Sequence, residues 1–124
     1  MTRNGFEVVA SVADVQEHVP LGVTRSNGDR VCLIRRGKLI TAVQDICTHQ
    51  EFAMSAGDVL SDGTIQCAWH GAKFDCATGE VRQVPATEPL PVYEVMIDDG
   101  RILVGGLRPR TDRGFEPSVA EAAE

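Results

Sequence analysis

Between residues 47 and 71 the chain reads CTHQEFAMSAGDVLSDGTIQCAWHG. Cys47 and His49 stand two residues apart, and Cys67 and His70 stand three apart after a gap of 17 residues. Thiolate and neutral imidazole are the usual protein ligands for zinc, copper and iron. Ligand pairs this close suit tight loops, in which neighbouring side chains converge on one point. Loop signals flank both pairs: Gly71 follows His70, and Thr64-Ile65-Gln66 reads as a strand leading to a loop tip at Cys67. Each pair occupies one fingertip, and the two fingertips close on a shared metal centre. His18, the remaining histidine, reads as an ordinary core or surface residue, and Cys32 in RVCLI reads as a buried apolar thiol.

Outward from this stretch, the chain is a series of short β-rich runs joined by turns. FEVVAS opens it, and DVQEH suits one helical turn before Pro20. Asn27-Gly28, Asp62-Gly63 and Asp99-Gly100 are strong hairpin signals between β-rich segments, and Gly37 marks a further turn. VPATEPLP carries three prolines and predicts an extended strap, because proline cannot donate to a central ladder. No window longer than about ten residues keeps a helical period. The prediction is an all-β single domain over residues 1–107. Residues 108–124, RPRTDRGFEPSVAEAAE, predict a weakly ordered tail whose last residues suit a short helix.

Composition narrows the function classes. With 43% hydrophobic residues, 124 residues suffice for one modest core. The net charge of −6 argues against nucleic acid, whose phosphates are held by Lys and Arg. No run approaches the ~20 apolar residues of a membrane-spanning helix. The first residues lack a signal-peptide pattern, so a cytoplasmic location is expected. Thiols stay reduced there, and four cysteines read better as ligands or inert core thiols than as a disulfide framework.

Zinc also accepts two Cys and two His, but its usual pattern pairs like with like. One thiol and one imidazole per loop suits a two-iron cluster in which one iron takes both thiolates and the other both imidazoles. That is the Rieske [2Fe–2S] arrangement. With these residues in view, the chain closely resembles the Rieske ferredoxins of bacterial ring-hydroxylating dioxygenase systems. CTH and CAWHG match the family's ligand signature, and KFDCATGEV matches the F-D-x-x-T-G segment that follows it. SVADV, MSAGDV and VPATEPLPVYEVMIDDGRILV look similar too, so the resemblance spans nearly the whole chain.

The resemblance implies a Rieske-type antiparallel β-sandwich or barrel with a small cluster-binding subdomain formed by two loops. It implies one [2Fe–2S] cluster held by Cys47, His49, Cys67 and His70, with no catalytic residues. Such a chain is not an enzyme by itself. It carries single electrons from an NAD(P)H-dependent flavoprotein reductase to a terminal Rieske non-haem iron oxygenase of the aromatic-ring dioxygenase type, through transient complexes. Gln50, Glu51, Phe52, Trp69 and Gly71 would form the docking face, with Asp45 and Glu51 as an acidic rim. Respiratory Rieske proteins clamp their loops with a disulfide at the positions of Phe52 and Trp69, and carry hydroxyls at those of Ala72 and Phe74. Lacking those hydrogen-bond donors, this cluster is expected near the low end of the Rieske range, about −150 mV rather than about +300 mV. Cys76 is expected to be a packing residue.

Three alternatives stay open at this stage. One is the small subunit of an assimilatory nitrite reductase-like enzyme, which would co-purify with a large partner. Another is a structural zinc module, which would be colourless. The third is a respiratory or arsenite-oxidase-like subunit, against which the absent export segment and disulfide cysteines speak.

Overall fold

Hydrophobic side chains on both faces of two neighbouring strands divide the molecule into two cores. The computed structural model describes residues 2–3, 5–47, 52–68, 71–84, 88–118 and 120–121. Strands β1 (Thr2–Arg3), β2 (Phe6–Ser11), β3 (Leu21–Thr24), β4 (Arg30–Arg36) and β5 (Leu39–Gln44) come first. Four short strands follow: β6 (Asp58–Val59), β7 (Thr64–Gln66), β8 (Lys73–Asp75) and β9 (Val81–Gln83). The chain then completes β10 (Val92–Asp98), β11 (Arg101–Leu107) and β12 (Ala120–Glu121). The larger sheet runs β1-β2-β11-β10-β5-β4-β3, with β12 also on β5; the smaller runs β6-β7-β8-β9. The strand pairs of both sheets are antiparallel, so the all-β expectation is met by a nearly closed barrel-like sheet carrying a small second sheet.

The predicted turns lie where the dipeptides placed them. Asp99 and Gly100 both take positive φ, at 53° and 73°, as a tight turn between β10 and β11 requires. Asn27-Gly28 joins β3 to β4, and Asp62-Gly63 joins β6 to β7. The helical turn expected at DVQEH sits earlier, as a 3-10 turn at Val12–Asp14. Glu17 instead bridges to Arg35 as an extended residue, and the His18 N–H donates to the Arg35 carbonyl. Pairing to β4 wins over a turn too short to stabilise itself.

On β4 and β5 the alternation of side chains is plain. Val31, Leu33, Ile40 and Ala42 join Tyr93, Ile102 and Val104 inside the barrel. Cys32, Ile34 and Val43 face the other way, against the small sheet's Val59, Ile65 and Phe74 and the loops that carry Cys47 and Cys67. This explains the unbroken apolar run VCLI, since a strand covered on both faces has no need of polar alternation. Full burial of each large side chain here contributes about 1.5–3 kcal/mol.

Between the strands at the two ends of the large sheet, the chain uses charge. The Arg25 guanidinium, just past β3, donates to the Gly105 carbonyl of β11 at 2.6 Å and pairs with the Glu7 carboxylate of β2 at 3.5 Å. Glu7 also accepts from the Ser26 N–H at 3.1 Å. Burial pushes the Glu7 carboxyl up, but the bonds from Ser26 and Arg25 outweigh it and hold its pKa below the usual value.

The segment expected to be a weakly ordered tail runs from the barrel to the small sheet and back. The Phe115 N–H donates to the Thr78 carbonyl, and the Phe115 ring packs on the core that holds Cys47 and Cys67. Arg108 pairs with Glu94 and Glu116, and the Ser118 hydroxyl accepts from the Val95 N–H. Residues 120 and 121 form β12 on β5, where a short helix was expected.

A carboxylate with a lowered pKa stabilises the fold above its unfolded value, and that contribution is lost as pH falls through the folded value. Glu7→Gln is therefore expected to lower the unfolding temperature at pH 7. The gap from the native chain should close below about pH 4, as thermal scans across pH would record.

Candidate metal centre

Two loops at one end of the small sheet carry the cysteines of the opening motif. β5 and the bend after it deliver Cys47, and β7 delivers Cys67. In each loop the cysteine N–H donates to the carbonyl five residues on: Cys47 to Phe52 at 2.8 Å, Cys67 to Ala72 at 2.7 Å. The two loops are thus pinched shut in the same way. Both thiols are buried, Cys47 at 3% and Cys67 at 2% exposure, in one apolar cluster, and neither is in a disulfide. His49 and His70, the other two expected ligands, lie outside the described residues, as do Gln50, Glu51 and Trp69. Among the described residues no group of three or more His, Cys, Asp or Glu gathers as a metal site.

Side-chain bonds hold the loops from outside. Asp45, at the root of the first loop, accepts from the Ser55 N–H at 2.6 Å and the Ser55 hydroxyl at 2.8 Å. Its carboxylate closes the loop across ten residues. Asp45 is only 4% exposed, which corrects its assignment to an acidic docking rim. Strand β3 passes close over this clamp at Gly22. A Cβ there would come within 2.7 Å of both the Asp45 carboxylate and the Ser55 hydroxyl. In the second loop, the Gly71 carbonyl accepts from the side-chain amides of Gln66 at 3.2 Å and Gln83 at 2.9 Å. None of these four polar residues belongs to the ligand pattern. Gln66, directly before Cys67, and Asp45, two positions before Cys47, stand near enough in sequence to have drawn notice.

The F-D-x-x-T-G segment is a turn that caps the small sheet. The Asp75 carboxylate accepts from the N–H groups of Ala77 and Thr78, and Arg82 pairs with it at 3.2 Å. Burial raises the Asp75 carboxyl, but these bonds together outweigh it and leave it below the ordinary range. Gly79 follows at φ 70°, where a Cβ would collide with the Leu90 carbonyl. That contact brings the end of the proline strap against the core, with Leu90 fully buried and bonded to Gly79.

The surroundings of the two thiols are apolar. Ala72 and Phe74 are fully buried in the cluster that contains Cys47 and Cys67, so these positions bring no hydroxyl to it. Cys32 and Cys76 lie in the same core as inert thiols. Burial, with Asp45 and Cys76 nearby, pushes the Cys32 thiol well above its usual range. Burial likewise pushes Cys76 to about 12, against the pull of Arg36. At the rim, Phe52 is 41% exposed and Val84, beside Gln83, is 73% exposed.

The donor set suits a Rieske cluster. Two unbridged thiols enter one dry core from two equal loops, each followed within three residues by a histidine. The family profile of the Rieske [2Fe-2S] domain matches residues 5–94. The 3-phenylpropionate/cinnamic acid dioxygenase ferredoxin subunit of Escherichia coli strain K12 is 36% identical over 93 residues, covering 75% of this chain and 86% of the relative. Ferredoxin CarAc of Metapseudomonas resinovorans is 33% identical over 98 residues, covering 79% and 91%. Among solved structures, a chain from the complex of reduced oxygenase and oxidised ferredoxin in carbazole 1,9a-dioxygenase aligns with a TM-score of 0.76. It is 31% identical, and the alignment covers 84% of this chain and 95% of that one. Motif, paired loops and matched length agree: the chain belongs to the Rieske [2Fe-2S] family and is related to the ferredoxin subunits of dioxygenase systems.

Proposed function

We propose that this chain is the ferredoxin of a ring-hydroxylating dioxygenase system, carrying one electron at a time to a terminal Rieske non-haem iron oxygenase. The observation that carries the reading is the pair of buried thiols at the mouths of two equal, pinched loops. Cys47 and Cys67 would hold one iron and His49 and His70 the other. When bound, a Rieske cluster takes up and releases a single electron. The apolar wall built from Ala72, Phe74, Ile65 and Leu90 keeps water from the thiolate side. The Asp45–Ser55 clamp and the two glutamine amides on Gly71 hold the loops at fixed spacing, which keeps reorganisation on electron transfer small.

An NAD(P)H-dependent flavoprotein reductase supplies the electron in this reading, and both exchanges are transient. The related carbazole dioxygenase ferredoxin, seen with its oxygenase, supports the oxygenase as acceptor. No helix among the described residues is long and apolar enough to cross a membrane, and a cytoplasmic setting fits a reductase drawing on NAD(P)H. Phe52 and Val84 flank the two loops as exposed apolar side chains on which either partner can seat.

Three outcomes test this. Replacing Cys47 or Cys67 by serine should abolish the reduced-state EPR signal and cut iron and sulfide content to near zero after anaerobic reconstitution; full retention would remove that cysteine from the ligand set. Phe74→Tyr should raise the midpoint potential by tens of millivolts, on a scale where ~59 mV is a tenfold step for one electron, because a donor near sulfur favours the reduced cluster. Redox titration followed by EPR measures it. Gly22→Ala should force the Asp45–Ser55 clamp open, at a cost of about 1–3 kcal/mol by denaturant titration. The cluster's visible absorbance should then bleach faster than in the native protein.

A further inference from the structure

Three polar side chains stand on the faces of β4 and β5 that meet the small sheet, or just beyond them: Arg36, Thr41 and Asp45. Alternation puts Arg36 on the same face as Cys32 and Ile34, and puts Thr41 and Asp45 with Val43. Asp45 is satisfied by Ser55. The other two are not: among the described residues, neither Arg36 Nε nor Thr41 Oγ1 meets a hydrogen-bond partner, although both atoms are buried. Thr41 is 6% exposed as a whole residue.

Both side chains line one cavity of about 30 Å³, together with Leu39, Cys76 and Ala77. The cavity lies where the β4–β5 hairpin meets the turn after β8, at the seam between the two sheets. An unpaired buried donor costs about 1–3 kcal/mol, so two beside one small space call for a shared partner. A water needs roughly 10–15 Å³ and two to four polar contacts, and the space and groups present meet both conditions.

We propose that this cavity is a binding site for one ordered water, which accepts from Arg36 Nε–H and exchanges a hydrogen bond with the Thr41 hydroxyl. The Cys76 thiol borders the same space, as a neutral group offering a weak third contact. A neutral ligand suits the site better than an anion. The Asp62 and Asp75 carboxylates act on the Cys76 thiol from nearby, so negative charge already stands close to the cavity. The water joins the barrel to the turn that Cys76 begins, and Cys76 in turn is tied by its N–H to the Gly63 carbonyl. It thereby helps fix the small sheet, and with it the loop bearing Cys67, onto the barrel.

A high-resolution crystal structure of the full-length holoprotein tests the proposal. The expected result is one density peak about 2.7–3.2 Å from both Arg36 Nε and Thr41 Oγ1. No peak with both side chains in place, or a direct protein bond to either atom, would overturn it. Crystals grown in bromide distinguish an anion: an anomalous peak at the site would also overturn the assignment to water. Thr41→Val keeps the shape and removes the hydroxyl. It should lose the peak and lower the folded-to-unfolded ratio about tenfold in denaturant titration. An unchanged or raised ratio would count against the bridge.

Discussion

The structure depends on two strands that are apolar on both faces. Were Cys32, Ile34 and Val43 polar, the barrel would end at solvent there and the small sheet would have little to bury against. Cys32, Ile34 and Val43 instead form the floor on which Ile65, Phe74 and Leu90 rest. The thiols of Cys47 and Cys67 enter from the edge of this second core. Ala72 and Phe74 in this core offer no hydroxyl to stabilise added negative charge, which is the physical basis for expecting a low potential.

Loop closure is the second requirement. In place of a disulfide, the chain uses one backbone bond per loop and a few polar side chains, of which Asp45 is buried. Asp45 binds Ser55 across the first loop, and Gln66 and Gln83 bind the Gly71 carbonyl of the second. Hydrogen bonds are directional, so they hold the loops in one geometry, and they are indifferent to thiol redox state. The C-terminal segment adds a further tie, since Phe115 reaches the core of the small sheet from outside.

Local signals carried their predictions well. The turns at Asn27-Gly28, Asp62-Gly63 and Asp99-Gly100 need few contacts beyond their own residues, because each glycine takes positive φ without strain. The helical turn at residues 14–18 failed for the opposite reason: a short helix has little stability alone, and pairing with β4 decides its conformation. Asp45 misled because a carboxylate in a loop reads as solvated. Only the approach of Ser55, ten residues on, buries it, and only Gly22 on another strand leaves room for the pair.

The sequence by itself determined the chemistry of the site, an all-β chain and the positions of its hairpins. Ligand types, their spacing and turn dipeptides are local properties that survive without a fold. Tertiary structure decided which face of each strand is buried against what, how the loops close, and which polar groups share an interior space. Those outcomes rest on residues distant in the chain meeting at fixed distances. No pattern within a short window encodes such a distance, because it arises from the packing of both sheets at once.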